Sequence, residues 1–232
     1  RARVDARRPY RRCDQGGNVS PPVAARGEGP PILLLHDAST TPADWEQLVE
    51  LMEPWMRVLT LQVGPASREE AGSLAAAAGE LGLLGDARFG VVGHGAGGAV
   101  AQLLAVDERT REALKTLVLM DSLAFTPELE GVAEQLALLD ELPVFMMWGE
   151  DDEVVPVATA ERLAEAIPYS TLAVIPEAGH RLPAEDGFNA FPLVYQFLRL
   201  RFLEKGHGHD DEPGGPVMIE ILTEPPAPGG RG

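Results

Sequence analysis

Five histidines, a single cysteine and a crowd of aspartates are the residues with chemistry to offer in this chain. Histidine titrates nearest neutrality, and a histidine with a carboxylate partner is a common proton-moving pair. His180 follows Ala178-Gly179, and Asp152 closes the run Gly149-Glu150-Asp151-Asp152. His36 is followed by Asp37, and His94 sits inside Gly93-His94-Gly95-Ala96-Gly97-Gly98. Gly93, Gly95 and Gly98 satisfy G-x-G-x-x-G, with Asp121 23 residues beyond Gly98. That spacing is the dinucleotide-cradling pattern with its ribose-binding acid. Ser39 and Ser122 lie near these runs, but neither follows a sharp glycine turn that would present a nucleophile. Cys13 alone excludes an internal disulfide framework and any multi-cysteine metal site. His207, His209, Asp210 and Asp211 have metal-like spacing in an acidic stretch, where only incidental binding is expected. No metal and no cofactor is expected.

The elements that would position these residues alternate along the chain. Apolar runs at 31–36, 57–63, 89–92, 116–120, 144–148 and 171–175 are short enough for strands buried on both faces. Helical patterns follow them at 42–52, 69–84, 99–106, 128–139, 159–167 and 192–203, the first with Thr41-Pro42 as cap and opening turn. Such βαβα alternation predicts an α/β domain with a mostly parallel sheet and helices on both faces. Catalytic and binding groups of such sheets collect where the strands end at their carboxyl edge, which is where His36, the glycine run, Asp121, Asp152 and His180 fall.

Charge divides the 232 residues into three parts. Residues 1–29, rich in arginine, carry +4 and read as an N-terminal arm; residues 30–203 carry −17 and form the domain; residues 204–232 carry −4 and read as an acidic, Gly/Pro-rich tail. Within the tail, 217–222 is apolar enough to add a strand or dock on a partner, with a solvated tail as the preferred reading. A net charge of −17 argues against nucleic acid as partner, and no run of 18 uncharged apolar residues exists to span a membrane. The sequence starts at Arg1, with no apolar signal-peptide core, so a reducing, cytoplasmic setting is expected.

The order of motifs between residues 27 and 203 resembles the α/β-hydrolase superfamily. Gly27 to Asp37, with Trp45 downstream, is similar to that family's first parallel strand and oxyanion loop. Gly149 to Pro156 resembles the turn carrying its acid, and Gly179-His180 its histidine loop. The resemblance implies that Asp152 orients His180 and that the backbone N–H groups of Ala38 and Ala96 form an oxyanion hole. His36, Asp37 and His94 would line the pocket. The family's nucleophile elbow reads G-x-S-x-G, whereas Gly93-His94-Gly95-Ala96-Gly97 puts Gly95 in the nucleophile's place. Glycine removes the attacking atom and is expected to relax the turn. Asp37 replaces the glycine usual after the family's histidine and adds a negative charge beside the hole. Only about 20 residues separate Asp121 from Leu142, where relatives often insert a lid, so a shallow pocket is expected, or one covered by the termini or another chain.

Four functional readings follow. The leading one is a catalytically silent binding or assembly subunit, holding a small-molecule ligand or a protein partner through its termini. The second is an enzyme using His180–Asp152 as general base without a covalent intermediate, of hydrolase or lyase type. The third is a serine ester hydrolase with its serine replaced by Gly95. The fourth is a dinucleotide-binding protein.

Overall fold

The computed structural model of the chain describes residues 24–85, 88–139, 142–185, 190–202 and 217–220. Eight strands form one sheet: β1 (Ala24–Arg26), β2 (Pro31–His36), β3 (Arg57–Gln62), β4 (Phe89–His94), β5 (Leu114–Met120), β6 (Val144–Gly149), β7 (Ser170–Ile175) and β8 (Val217–Glu220). Their order across the sheet is β1-β3-β2-β4-β5-β6-β7-β8. Among the described residues only β1 runs antiparallel to its neighbour; every other pair is parallel. Among the described residues six helices accompany them: α1 (Glu46–Met52), α2 (Arg68–Ala77), α3 (Ala96–Val106), α4 (Val132–Ala137), α5 (Val157–Ala166) and α6 (Phe191–Phe202). This is the expected α/β architecture.

Alternation along the strands sends side chains to two cores. Leu33, Leu35, Leu59 and Leu61 face the layer built by α2, α3, α4 and α5. Ile32, Leu34 and Val58 face the other layer, with Trp45, Leu48, Val194 and Leu198 from the α1 and α6 side. All six residues of β2, β4 and β6 are buried, as central strands covered on both faces require.

Several expectations are corrected in detail. The arm gives up Ala24–Arg26 to the sheet, where Ala24 pairs with Thr60. Arg26 anchors that strand by bonding Glu46 and Glu53 on α1 and just after it. Residues 217–220 do form a strand, with Thr171 opposite Val217, so the solvated-tail reading does not hold there. The helix expected over 69–84 stops at Ala77, and Gly82 takes φ 67° in the turn that follows. The 128–139 helix is split by Gly131, at φ 75°, into a 3₁₀ turn over Pro127–Leu129 and a short α4. Residues 1–23, with Cys13 and six of the arginines, and the histidines at 207 and 209 lie outside the described residues.

The turn from β4 into α3 is fixed by close packing. A Cβ on Gly97 would overlap the Leu35 carbonyl of β2, so α3 rests directly on the strand beside it. Gly97→Ala is therefore expected to lower stability by about 2 kcal/mol, the middle of the usual cost of overpacking, measured by thermal or urea denaturation. An unchanged midpoint would show that the helix can lift away without cost.

Candidate active site

The carboxyl ends of β2, β4, β5 and β6 and the loop after β7 bring the candidate residues to one edge. Asp152 is buried after β6. Its Oδ1 accepts the N–H groups of Val154 and Val155, both at 2.8 Å, which frees Oδ2 to face the histidine loop. His180 Nδ1 donates to that oxygen at 2.8 Å. A carboxylate partner assigns the proton to Nδ1 and leaves Nε2 as the basic nitrogen. His94, fully buried, donates from Nε2 to the His180 main-chain carbonyl at 2.8 Å. Its ring lies 5.3 Å from that of His180 and edge-on to Trp45 at 5.8 Å. The elbow strand thus holds the histidine loop in place from below. Glu185, which no sequence motif marks, adds a second tie by accepting the Gly179 N–H at 3.3 Å.

Gly95 stands at the turn from β4 to α3 with φ 56° and ψ −121°. L side chains rarely adopt this conformation, so the expected relaxation of the turn has not occurred. Glycine adopts it without strain.

The space over Gly95 is taken by Asp37. Leu35 of β2 pairs with Gly93 of β4, so two residues farther on Asp37 lies alongside Gly95. Its Oδ2 sits where a Cβ on Gly95 would have to go. The same oxygen accepts the Ala96 N–H at 2.8 Å. Oδ1 accepts the Ser39 N–H at 2.9 Å and the Ser39 hydroxyl as well. Asp37, expected beside the Ala38 and Ala96 N–H groups, engages one of them directly, so the Ala96 donor already has an anionic acceptor. Ala38, the other expected donor, is exposed in the same turn.

Electrostatics keep this carboxylate charged. Partial burial raises its pKa, but the hydrogen bonds from Ser39 and Ala96, together with His94, outweigh that and hold it below the ordinary 3.8. An anion at the first turn of α3 also meets the positive end of the helix dipole.

The remaining candidates are structural in their contacts. His36 is buried and its Nδ1 donates to the Asp37 carbonyl at 3.0 Å. Burial pushes its pKa below 6.5. Asp121 is buried at φ 43°, with Oδ1 accepting the Gly149 N–H at 2.9 Å and Oδ2 3.7 Å from His94 Nε2. Burial pushes its pKa up. Ser122 is buried with its hydroxyl donated to the Leu123 carbonyl at 3.0 Å and accepting from Gln102. The dinucleotide pattern fails here on two counts: Asp37 fills the α3 N-terminus where a pyrophosphate would bind, and Asp121 is closed off from any ribose. Among the described residues, no group of three or more His, Cys, Asp or Glu could hold a metal, and no helix is long and apolar enough to cross a membrane.

Since Asp37 has a lowered pKa in the fold, the stability it confers is present above the unfolded value and is lost as pH falls through the folded one. Asp37→Ala is expected to cost about 1 kcal/mol at pH 7, kept small by solvent around a half-buried group. The gap should shrink below pH 4 in urea melts. A gap independent of pH would show that the carboxylate is not charged in the fold.

A family model described as serine hydrolase (FSH1) matches residues 85–191, the stretch from just before β4 through the His180 loop. A search of curated proteins gives no match. Among solved structures, a thermophilic esterase from Thermogutta terrifontis with malate bound is 21% identical, covering 78% of this chain and 93% of that one at a TM-score of 0.58. A meta-cleavage product hydrolase from Pseudomonas fluorescens IP01 is 16% identical, covering 77% and 93% at 0.64. The esterase RhEst1 from a Rhodococcus species is 17% identical, covering 78% and 94% at 0.61. Sheet order, helix placement and these likenesses agree: the chain has the fold of the α/β-hydrolase superfamily.

Proposed function

We propose that this protein is a catalytically silent member of its fold family, a binding or assembly subunit rather than an ester hydrolase. One observation carries the reading: the Asp37 carboxylate occupies the space over Gly95 and engages the Ala96 N–H. An acyl substrate would need that space for a nucleophile and that N–H for its oxyanion. A carboxylate there repels the developing negative charge. Asp37 is a weak substitute attacker as well, since both its oxygens are hydrogen-bonded and its depressed pKa lowers its basicity. The termini, which the sequence marks as oppositely charged, are where a protein partner would attach; a small-molecule ligand is the other candidate.

The wild-type chain is expected to give no hydrolysis of short acyl esters above buffer. Gly95→Ser alone should stay silent, because the new side chain collides with Asp37. Asp37→Gly combined with Gly95→Ser should gain roughly a hundredfold or more over that background, as nucleophile and oxyanion donor are restored together. Activity in Gly95→Ser alone would overturn the reading and favour a serine hydrolase from which one oxygen has been removed.

The 2.8 Å His180–Asp152 bond favours a second reading, a general-base enzyme working through water without a covalent intermediate. Turnover by the wild-type chain that His180→Ala abolishes, leaving the melting temperature within a few degrees, would establish it in place of the silent one.

A further inference from the structure

Among the described residues, four buried side-chain polar atoms have no hydrogen-bond partner, and two of them belong to one pair: Nδ1 of His94 and Oδ2 of Asp121. Both side chains are 0% exposed. Parallel pairing sets His94, the last residue of β4, opposite Met120, the last residue of β5, so Asp121 follows at the same edge. Its backbone is held at φ 43°, a left-handed conformation that residues with a side chain rarely adopt. The Asp121 N–H donates to the Met147 carbonyl, and Oδ1 accepts the Gly149 N–H, so β6 fixes it from both groups. Strain of this kind collects at switches and functional sites.

One N–H faces two acceptors here. With Nδ1 bare, the single ring proton of His94 is on Nε2. It points to the His180 carbonyl at 2.8 Å, while Oδ2 of Asp121 stands 3.7 Å from the same nitrogen. A hydrogen bond to a charged acceptor is about twice as strong as one to a neutral acceptor. A charged carboxylate at that distance would draw the donor away from the carbonyl, so the arrangement is that of an uncharged Asp121. Burial, the largest influence, raises the pKa of this acid and the charge of Asp152 adds to it, against the bonds from His94 and Gly149.

We propose that Asp121 is a proton-controlled latch on the histidine loop: uncharged, it leaves the His94 N–H to the His180 carbonyl, and ionised, it takes that N–H and releases the loop. A ring shift of about 1 Å closes the longer contact to ordinary hydrogen-bond distance. Because the acid titrates above its usual range, the loop is held at low pH and loosens as pH rises through the folded-state value. That loop carries the His180 ring bonded to Asp152, so the latch governs how firmly the pair is positioned. It acts whether or not the site turns over substrate, and its test reads no hydrolysis. The other titratable groups facing the pair are His36 and Asp37 at the end of β2, Asp152 after β6 and His180 itself, with Glu185 tied to the same loop. Trp45 and α3 bring no charge.

The test is amide hydrogen exchange and ¹H–¹⁵N spectroscopy of the full chain from about pH 4 to about pH 9, with rates corrected for their intrinsic pH dependence. Protection of the amides of Gly179, His180 and Arg181 is expected to fall about tenfold across one titration, the effect of one lost hydrogen bond. The His94 ring nitrogens should shift over the same range. Asp121→Asn keeps an acceptor for the Gly149 N–H but never ionises, and should hold the loop at its low-pH protection throughout. His94→Phe removes the donor and should leave the loop weakly protected at every pH. A merely structural Asp121 would change the melting temperature on substitution without altering the pH profile of the loop. Infrared spectra of the wild type supply a readout that needs no variant: the carbonyl stretch of a buried protonated carboxyl should vanish over the range in which the loop loosens. A pH profile that persists in Asp121→Asn would place the titration on His36, Asp37, Asp152, His180 or Glu185 and overturn the proposal. So would a wild-type loop whose protection does not change with pH, or the absence of a protonated carboxyl where the loop is held.

Discussion

The carboxylate of Asp37 and the bare α-carbon of Gly95 depend on each other. Parallel pairing of β2 with β4 sets the two residues side by side, so one volume is available to whichever carries the side chain. With a Cβ at 95, Asp37 has to leave. Without Asp37, the Ala96 N–H at the head of α3 loses its acceptor. The edge of the sheet is therefore organised around an anion supplied by the chain itself and seated at the head of α3.

Magnitudes decide why that arrangement holds. Taking a carboxylate partly out of water is costly, and it is the largest single influence on Asp37. Opposing it are two bonds from Ser39, one from Ala96 and the positive end of an eleven-residue helix. Charge-assisted hydrogen bonds are worth about 1.5–3 kcal/mol each, and the helix end about 0.3–1. Three of the former outweigh a penalty that half-burial keeps modest. His36 supports the loop from beneath by binding the Asp37 carbonyl, so the carboxylate is held from both its side chain and its backbone.

Much of this was legible in the sequence, for reasons that can be stated. The strands read at 31–36, 144–148 and 171–175 are mainly apolar runs too short for a full helix, and the fold class followed from their alternation with helices. The glycine at the elbow and the pairing of Asp152 with His180 were readable from motif order. The seat of Asp37 was not, because it depends on a register between strands more than fifty residues apart. Knowing that Leu35 opposes Gly93 would have been enough to find it, and local pattern cannot supply that. Helix ends were misjudged where glycines such as Gly82 and Gly131 adopt positive φ, a choice made by the packing of the following loop. Ala24–Arg26 carries too little periodicity in three residues to announce a strand; Arg26 is anchored by two glutamates distant in sequence.

The His180–Asp152 bond has a structural role of its own. Asp152 accepts two backbone N–H groups at the entrance to α5, and losing it would leave the one on buried Val155 without its partner. Each such orphaned donor costs about 1–3 kcal/mol. His180 in turn satisfies the remaining oxygen of Asp152, while its own carbonyl satisfies the buried His94. The pair is thus a link in a chain of bonds joining the ends of β4, β6 and β7, and removing either member leaves a buried partner unmatched. A proton-handling pair can be kept by folding alone once it has become the means by which three strands are tied together, whereas the elbow position has no such second duty. On the proposed reading, that difference accounts for a chain with glycine at position 95 that still carries the His180–Asp152 pair.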